Sequence, residues 1–132
     1  ALQQLSSLTS LNLTGNQMKV EGTQKLASTL SHLTRLTSLN LGSIIRGDEE
    51  MRILAPALEN LTSLTSLDLS DNNRRRGGMM STLASALLHL TSLTSLDLSW
   101  NDMEVEEMKM LAPVFRRLTS LTSLVLAGNY LG

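Results

Sequence analysis

The chain has 132 residues, enough for one domain, and its formal net charge is −1. Hydrophobic residues make up 42% of it and aromatic residues only 2%, so the core must be aliphatic. The near-neutral charge argues against a general attraction to nucleic acid, and no apolar run approaches the length of a membrane span. The absence of cysteine excludes a disulfide framework and favours a reducing compartment, so we expect a cytoplasmic protein.

One segment recurs along the whole chain. Its clearest copy reads Leu61-Thr-Ser-Leu-Thr-Ser-Leu-Asp-Leu-Ser-Asp-Asn72. The copies begin at spacings of 28, 28, 29 and 28 residues, at Leu5, Leu33, Leu61, Leu90 and Leu118. A fixed period of this length predicts stacked structural units, and we expect residues 1–132 to form a single repeat domain.

The pattern within each unit changes from a strand to a helix. Leu67 and Leu69 alternate with polar residues, which indicates a short strand with one buried face. The same pairs predict strands at Leu11/Leu13, Leu39/Leu41, Leu96/Leu98 and Leu124/Leu126. Between strands, apolar residues at i, i+4 and i+7 predict helices, namely Leu26/Leu30/Leu33, Leu54/Leu58/Leu61, Leu83/Leu87/Leu90 and Leu111/Phe115/Leu118. Because each strand is followed by a helix and an equivalent strand, the strands must run parallel.

Two stretches carry a family resemblance, Leu64-Thr-Ser-Leu-Asp-Leu-Ser-Asp-Asn72 and Leu83-Ala-Ser-Ala-Leu87. They resemble leucine-rich repeat proteins, specifically the ribonuclease-inhibitor-like class with its long, helix-containing repeats. The resemblance implies an α/β solenoid in a horseshoe arc, with a parallel β-sheet on the concave face and helices on the convex face. It also implies a ladder of buried asparagines that bind the backbone of neighbouring turns, here Asn16, Asn72, Asn101 and Asn129.

Both ends of the chain match the interior of a repeat. Ala1–Leu5 resembles Ala57–Leu61, the end of a predicted helix, and Asn129–Gly132 lies just past the fifth strand. Neither end resembles the polar capping repeat that solenoids normally carry. We therefore expect a piece of a longer array, whose open terminal strands permit end-to-end self-association.

The second and third repeats depart from the pattern. Ile44 replaces the asparagine of the second repeat, which predicts either a locally relaxed turn or a displaced loop that forms part of a site. Two positions further on, the other repeats have an apolar residue, but these two have Arg46 and Arg74. Since a buried unpaired arginine is too costly, we expect both turns to open outward.

The arginines predict a basic rim near the carboxyl ends of the strands, made of Arg46, Arg74, Arg75 and Arg76. Such a cluster can bind phosphate or an acidic partner. Acidic residues in the adjacent turns can instead neutralise it in place, namely Asp48, Glu49, Glu50, Glu104, Glu106 and Glu107. The sequence leaves both interpretations open.

The predicted concave face is small-residued, polar and mildly acidic. Its candidate partner-binding residues are Asp68, Asp71, Asp97 and Trp100, the only tryptophan. Tryptophan is enriched among binding hot spots, yet packing against a rim loop explains Trp100 equally well. If the face binds, the aspartates favour a basic or polar patch on the partner.

No catalytic arrangement is visible. His32 and His89 lie two repeats apart, too far to share a metal, and the serines have no paired histidine. We therefore predict a protein–protein interaction scaffold within a larger receptor or adaptor, with no enzymatic activity, cofactor, nucleic-acid partner or membrane association. Two alternatives remain: a regulator of an enzyme, of the inhibitor or GTPase-activating type, and an engineered repeat scaffold without a natural ligand.

Overall fold

Strands and helices alternate along the chain in a computed structural model that describes residues 7–16, 18–72 and 79–130. In chain order the elements are β1 (Ser10–Asn12), α1 (Val20–Leu30), β2 (Ser38–Asn40), α2 (Asp48–Glu59), β3 (Ser66–Asp68), α3 (Met79–Leu87), β4 (Ser95–Asp97), α4 (Val105–Arg117) and β5 (Ser123–Val125). The strands form one parallel sheet in sequence order. The predicted α/β solenoid with a parallel sheet is confirmed.

The sheet keeps the register of the sequence repeat at every strand pair. Leu39 of β2 lies opposite Leu67 of β3, which lies opposite Leu96 of β4. On the other face of the sheet, Asn40 is followed by Asp68 and then Asp97. Equivalent residues therefore form straight ladders across the sheet, and a substitution in one repeat lies directly beside its counterparts in the next.

Leucine fills the interior of the middle repeats. In the third repeat Leu64, Leu67 and Leu69 are at most 1% exposed, as are their equivalents Leu36, Leu39, Leu41, Leu93, Leu96 and Leu98. The equivalents in the first and fifth repeats pack against this core but are only partly buried. Each of those outer repeats has a described neighbour on one side only.

The helices cover the side of the sheet that carries the leucines. Met51, Leu54 and Leu58 place one face of α2 in the core, and consecutive helices pack on each other from α1 to α4. Packed helices lie about 8–10 Å apart, whereas hydrogen-bonded strands lie about 4.8 Å apart. The array therefore curves, and the polar face of the sheet forms its concave surface.

A threonine ladder joins the repeats at the start of each strand. The backbone N–H of Thr65 donates to the carbonyl of Thr37 over 2.8 Å, and its Oγ1 donates to the same oxygen over 3.1 Å. The N–H of Ser66 is a third donor to that carbonyl, at 3.0 Å. The same arrangement joins Thr9 to Thr37, Thr65 to Thr94 and Thr94 to Thr122. These hydrogen bonds thus fix the start of each strand to the preceding strand, next to the leucine that enters the core.

Candidate functional site

The turns that follow the strands share a backbone conformation that the sequence analysis did not detect. One matched position in each repeat has a positive φ, between 57° and 80°, at Gly15, Ser43, Asp71, Trp100 and Gly128, and the fourth repeat has a second such residue at 102. Glycine adopts this region at little cost, whereas a bulky side chain is strained there. Gly15 and Gly128 at matched positions were the only sequence signal for it.

These turns are also joined by backbone hydrogen bonds from repeat to repeat. The N–H of Asp71 donates to the carbonyl of Ser99 at 2.8 Å, and the N–H of Trp100 donates to that of Ala127 at 2.9 Å. Asp71 and Trp100 are therefore equivalent residues in neighbouring turns, one strand spacing of about 4.8 Å apart. The two residues predicted as part of one surface are brought together at the strand ends.

Side-chain amides connect the same turns from the interior. Asn101 is fully buried, and its Nδ2 donates to the carbonyls of Leu69 and Leu98 at 3.1 and 2.8 Å. Its Oδ1 accepts from the N–H of Asn72 at 3.0 Å. Asn72 and Asn129 make equivalent bonds to the turns that precede them. Asn16 differs, because it is exposed and its described side-chain bond, Nδ2 to the carbonyl of Leu13, stays within its own turn.

The turn that lacks its asparagine is held by the next repeat. Ile44 and Ile45 are 4% and 3% exposed, and both of their N–H groups donate to Oδ1 of Asn72, at 3.0 and 2.7 Å. Ile45 supplies the apolar contact that the pattern assigned two positions after the asparagine, which leaves Arg46 exposed. The outward orientation expected for Arg46 follows from this shift by one residue.

Asp68 and Asp97 on the concave face each accept hydrogen bonds within their own turn. Oδ1 of Asp97 accepts from the N–H and the hydroxyl of Ser99 at 2.9 and 2.6 Å, and Oδ1 of Asp68 accepts from the N–H of Ser70 at 2.9 Å. Asn12 and Asn40 hold the equivalent turns with their own Oδ1 atoms. The hydrogen bond therefore requires only an oxygen, and the negative charge on repeats three and four is additional to it.

Asp71 lies in the turn after β3 and accepts a hydrogen bond from the second repeat. Its Oδ2 accepts from Oγ of Ser43 at 2.7 Å, and the residue is half-buried. Asp68 and Asp97 thus lie in the adjacent strands β3 and β4, and Asp71 lies in the turn that follows β3. The structure brings Asp68, Asp71 and Asp97 to one part of the concave face.

Trp100 stands over the turn of the fifth repeat. A Cβ built on Gly128 would lie 2.3 Å from Cδ2 of Trp100 and 2.5 Å from Cε3. Because Cδ2 is bonded to three other ring atoms, such an approach can only be over the face of the indole. The residue is still 64% exposed, so one face of the ring covers Gly128 while much of the rest meets solvent. The packing on a neighbouring turn is thus observed, and a role of Trp100 in binding stays a prediction.

The neighbours of Trp100 on the side of β5 are apolar. Val125 occupies the ladder position next to Asp97 and is 40% exposed. Ala127, which accepts the N–H of Trp100, is exposed as well. The tryptophan therefore lies between an acidic surface on strands β3 and β4 and a small apolar one on β5.

The predicted basic rim can be located only in part, because Arg74, Arg75 and Arg76 lie outside the described residues. Arg46 lines an open cleft of about 410 Å³ between the starts of α1 and α2, together with Lys19, Val20, Gly47, Asp48, Glu49 and Glu50. Asp48 is engaged elsewhere, with Arg52 at 2.8 Å and with Oγ1 of Thr82 at 2.9 Å. Glu106 pairs with Lys109 at 3.3 Å. Two of the acids expected to neutralise the arginines thus have local partners.

The described residues offer little material for metal chemistry. No group of three or more His, Cys, Asp or Glu side chains within 7–16, 18–72 and 79–130 could hold a metal ion. His32 and His89 are both exposed, at matching turns two repeats apart. In the same part of the chain, the helices are too short or too polar to cross a membrane.

Comparison with known proteins agrees with this geometry. A family model described as a leucine-rich repeat matches residues 4–27, 60–73 and 89–112. A solved structure of a TLR13–ssRNA13 complex is similar over 98% of this chain, with 25% sequence identity and a TM-score of 0.59. The chain spans only 20% of the length of that protein. No curated protein shows a significant match.

Proposed function

We propose that this chain, an α/β leucine-rich repeat solenoid, is a protein-interaction module that binds its partner on the concave face where strands β3, β4 and β5 end. A family-model match and a structural neighbour that is a Toll-like receptor complex support an interaction role. Binding function in such a fold must still be argued from a particular surface.

The observation that carries the proposal is Trp100. It is 64% exposed and adopts φ 57°, a conformation that a large side chain reaches only against strain. Burial in the protein's own core does not account for its position, since glycine occupies the same turn in the first and fifth repeats. The turn has this backbone in every repeat, so the unusual feature is the large side chain on it, and strained residues of this kind cluster at functional sites.

The surface around Trp100 suits a docking site. Its anchor is a large rigid aromatic ring supported from beneath by Gly128, so little side-chain entropy is lost on binding. Hydrogen bonds to their own turns fix the carboxylates of Asp68 and Asp97. A partner would therefore meet a surface that is already arranged.

We also propose a repeat class, a setting and a kind of partner for this module. The helices between strands and the spacing of 28 or 29 residues favour the ribonuclease-inhibitor-like class, and we expect the module to be part of a larger receptor or adaptor. The neighbouring structure contains single-stranded RNA, which belongs to that protein's complex. Here the aspartates of the concave face would repel phosphates, so we expect a protein partner.

Photocrosslinking tests the proposal. A benzophenone amino acid would replace Ser66 or Ser95 on the concave face, and Ser85 or Lys109 on exposed helix positions would serve as controls. We expect discrete adducts from cell extract at the first two positions, sensitive to protease and lost when Trp100→Gly is added. Equal adducts from the helix positions would contradict the concave site. Nuclease-sensitive adducts would contradict a protein partner.

A further inference from the structure

We infer that the exposed part of Trp100 receives an arginine side chain of a protein partner, with Asp97 and Asp68 meeting the same basic segment. The inference rests on the proposed function, because it specifies the partner of that site. Three observations support it. They are the packing of the indole on Gly128, the Oδ2 atoms of the two carboxylates that accept no described hydrogen bond, and the apolar residues on the other side of the ring.

Trp100 offers an aromatic surface to a ligand. The contact with Gly128 covers one face near Cδ2, and the residue keeps 64% of its surface exposed. The face of an aromatic ring carries partial negative charge and attracts guanidinium or ammonium groups, with tryptophan the strongest of the aromatic side chains. A guanidinium is also planar, and it stacks on a ring better than an ammonium does.

Asp97 and Asp68 offer carboxylate oxygens to the same ligand. The side-chain hydrogen bonds of Asp97 and Asp68 within the described chain all fall on Oδ1, which leaves Oδ2 of each available to a ligand. Asp97 lies three residues before Trp100, so their Cα atoms are at most about 10 Å apart. No lysine or arginine occupies a described strand position, and the charge of this part of the sheet is therefore negative.

An apolar side chain is a poor main ligand for this surface. A purely apolar segment over Trp100 would exclude water from the nearby carboxylates without replacing it, which is unfavourable. A cationic side chain is attracted by the ring and the carboxylates together. Val125 and Ala127 on the far side of Trp100 can contact an aliphatic neighbour of that arginine.

The repeats provide variants that remove the chemistry and keep the fold. Glycine already fills the Trp100 position in the first and fifth repeats, so Trp100→Gly suits the turn. Asparagine already fills the Asp97 position in the first two repeats, and its Oδ1 makes the same bond. Asp97→Asn and Asp68→Asn therefore remove charge alone.

The test uses synthetic nine-residue peptide pools with random flanks and one fixed central residue, which is arginine, citrulline, leucine, phenylalanine or glutamate. Citrulline has the shape of arginine without its charge. Fluorescence anisotropy of the labelled pools would measure binding to the full chain. We expect the arginine pool to bind at least tenfold tighter than the citrulline pool, and Trp100→Gly to abolish the difference.

Asp97→Asn with Asp68→Asn should weaken the arginine pool about fivefold, and added salt should weaken it as well. The inference is overturned if the leucine or phenylalanine pool binds as tightly as the arginine pool, if no pool binds, or if Trp100→Gly binds arginine unchanged. If any of these results occurs while Ser66 and Ser95 still give Trp100-dependent protein crosslinks, the proposed function is retained and the arginine is rejected. Absence of these crosslinks from the chain that keeps Trp100 would reject the function itself.

Discussion

The indole of Trp100 rests face-on over Gly128, the residue that occupies its own position in the next repeat. Two matched turns are thereby coupled through a side chain that only one of them has. A Cβ at residue 128 would lie 2.3 Å from the ring and would also meet the cost of φ 73°. The contact therefore depends on glycine at one position and tryptophan at the other.

Gly128→Ala should destabilise the protein by about 2 kcal/mol, because a left-handed backbone costs about 1–2 kcal/mol for alanine and the ring must also move. In the Trp100→Gly background the same substitution should cost only about 1 kcal/mol. Urea unfolding of the four proteins followed by circular dichroism measures both. Equal costs in the two backgrounds would show that the ring does not touch Gly128.

Trp100→Gly alone should change the free energy of unfolding by less than about 1 kcal/mol. Relief of the strained backbone offsets the greater freedom of the unfolded glycine and the lost contact with Gly128. Loss of binding without loss of stability would identify Trp100 as a ligand-contacting residue. A loss of stability above 2–3 kcal/mol, roughly the cost of removing a core side chain, would instead indicate that the ring serves the fold.

Asn101→Ala should cost about 2–3 kcal/mol, since it leaves the buried N–H of Asn72 without its side-chain acceptor and removes one of the two amide donors from each of the carbonyls of Leu69 and Leu98. Asn16→Ala is the matched control and should cost less than about 1 kcal/mol, because Asn16 is exposed and makes one described side-chain bond. Thermal and urea unfolding compare the two. A similar cost for both would mean that the buried bonds of Asn101 add little.

Asp97→Asn should leave stability within about 0.5 kcal/mol of the original, whereas Asp97→Ala should lose about 1 kcal/mol, the worth of one hydrogen bond to the backbone. The asparagine variant keeps Oδ1 for the N–H and hydroxyl of Ser99. Denaturant midpoints separate the two variants. If asparagine proved as harmful as alanine, the charge itself would support the turn.

The period of the leucines predicted the parallel strands and most of the buried face of each helix, because both depend on one residue type at a fixed spacing. The helices end earlier than predicted, since the last residue of each stripe, at 33, 61, 90 and 118, is buried just past the helix end. The turns were less visible. Ser43, Asp71 and Trp100 share a left-handed backbone, which aspartate tolerates better than most residues but which serine and tryptophan do not suggest. Glycines at the two matched positions were the available sign.

The candidate site was predicted as a set of residues but not as an arrangement. The sequence placed Trp100 beside the aspartates, since register follows from the repeat. It could not show that the indole covers Gly128, because that contact depends on a side-chain rotamer. Nor could it show that Ile45, rather than residue 46, enters the core, since a turn that lacks its asparagine can shift by one residue.

The threonine ladder makes neighbouring junctions alike. The carbonyls of Thr37, Thr65 and Thr94 each accept the same three hydrogen bonds from the next strand. An internal repeat therefore makes the same bonds to the repeat before it and to the repeat after it. Duplicating residues 62–90 within the chain should therefore yield a longer molecule that folds without redesign of either junction. Gene duplication can therefore lengthen a solenoid of this kind by one whole repeat at a time.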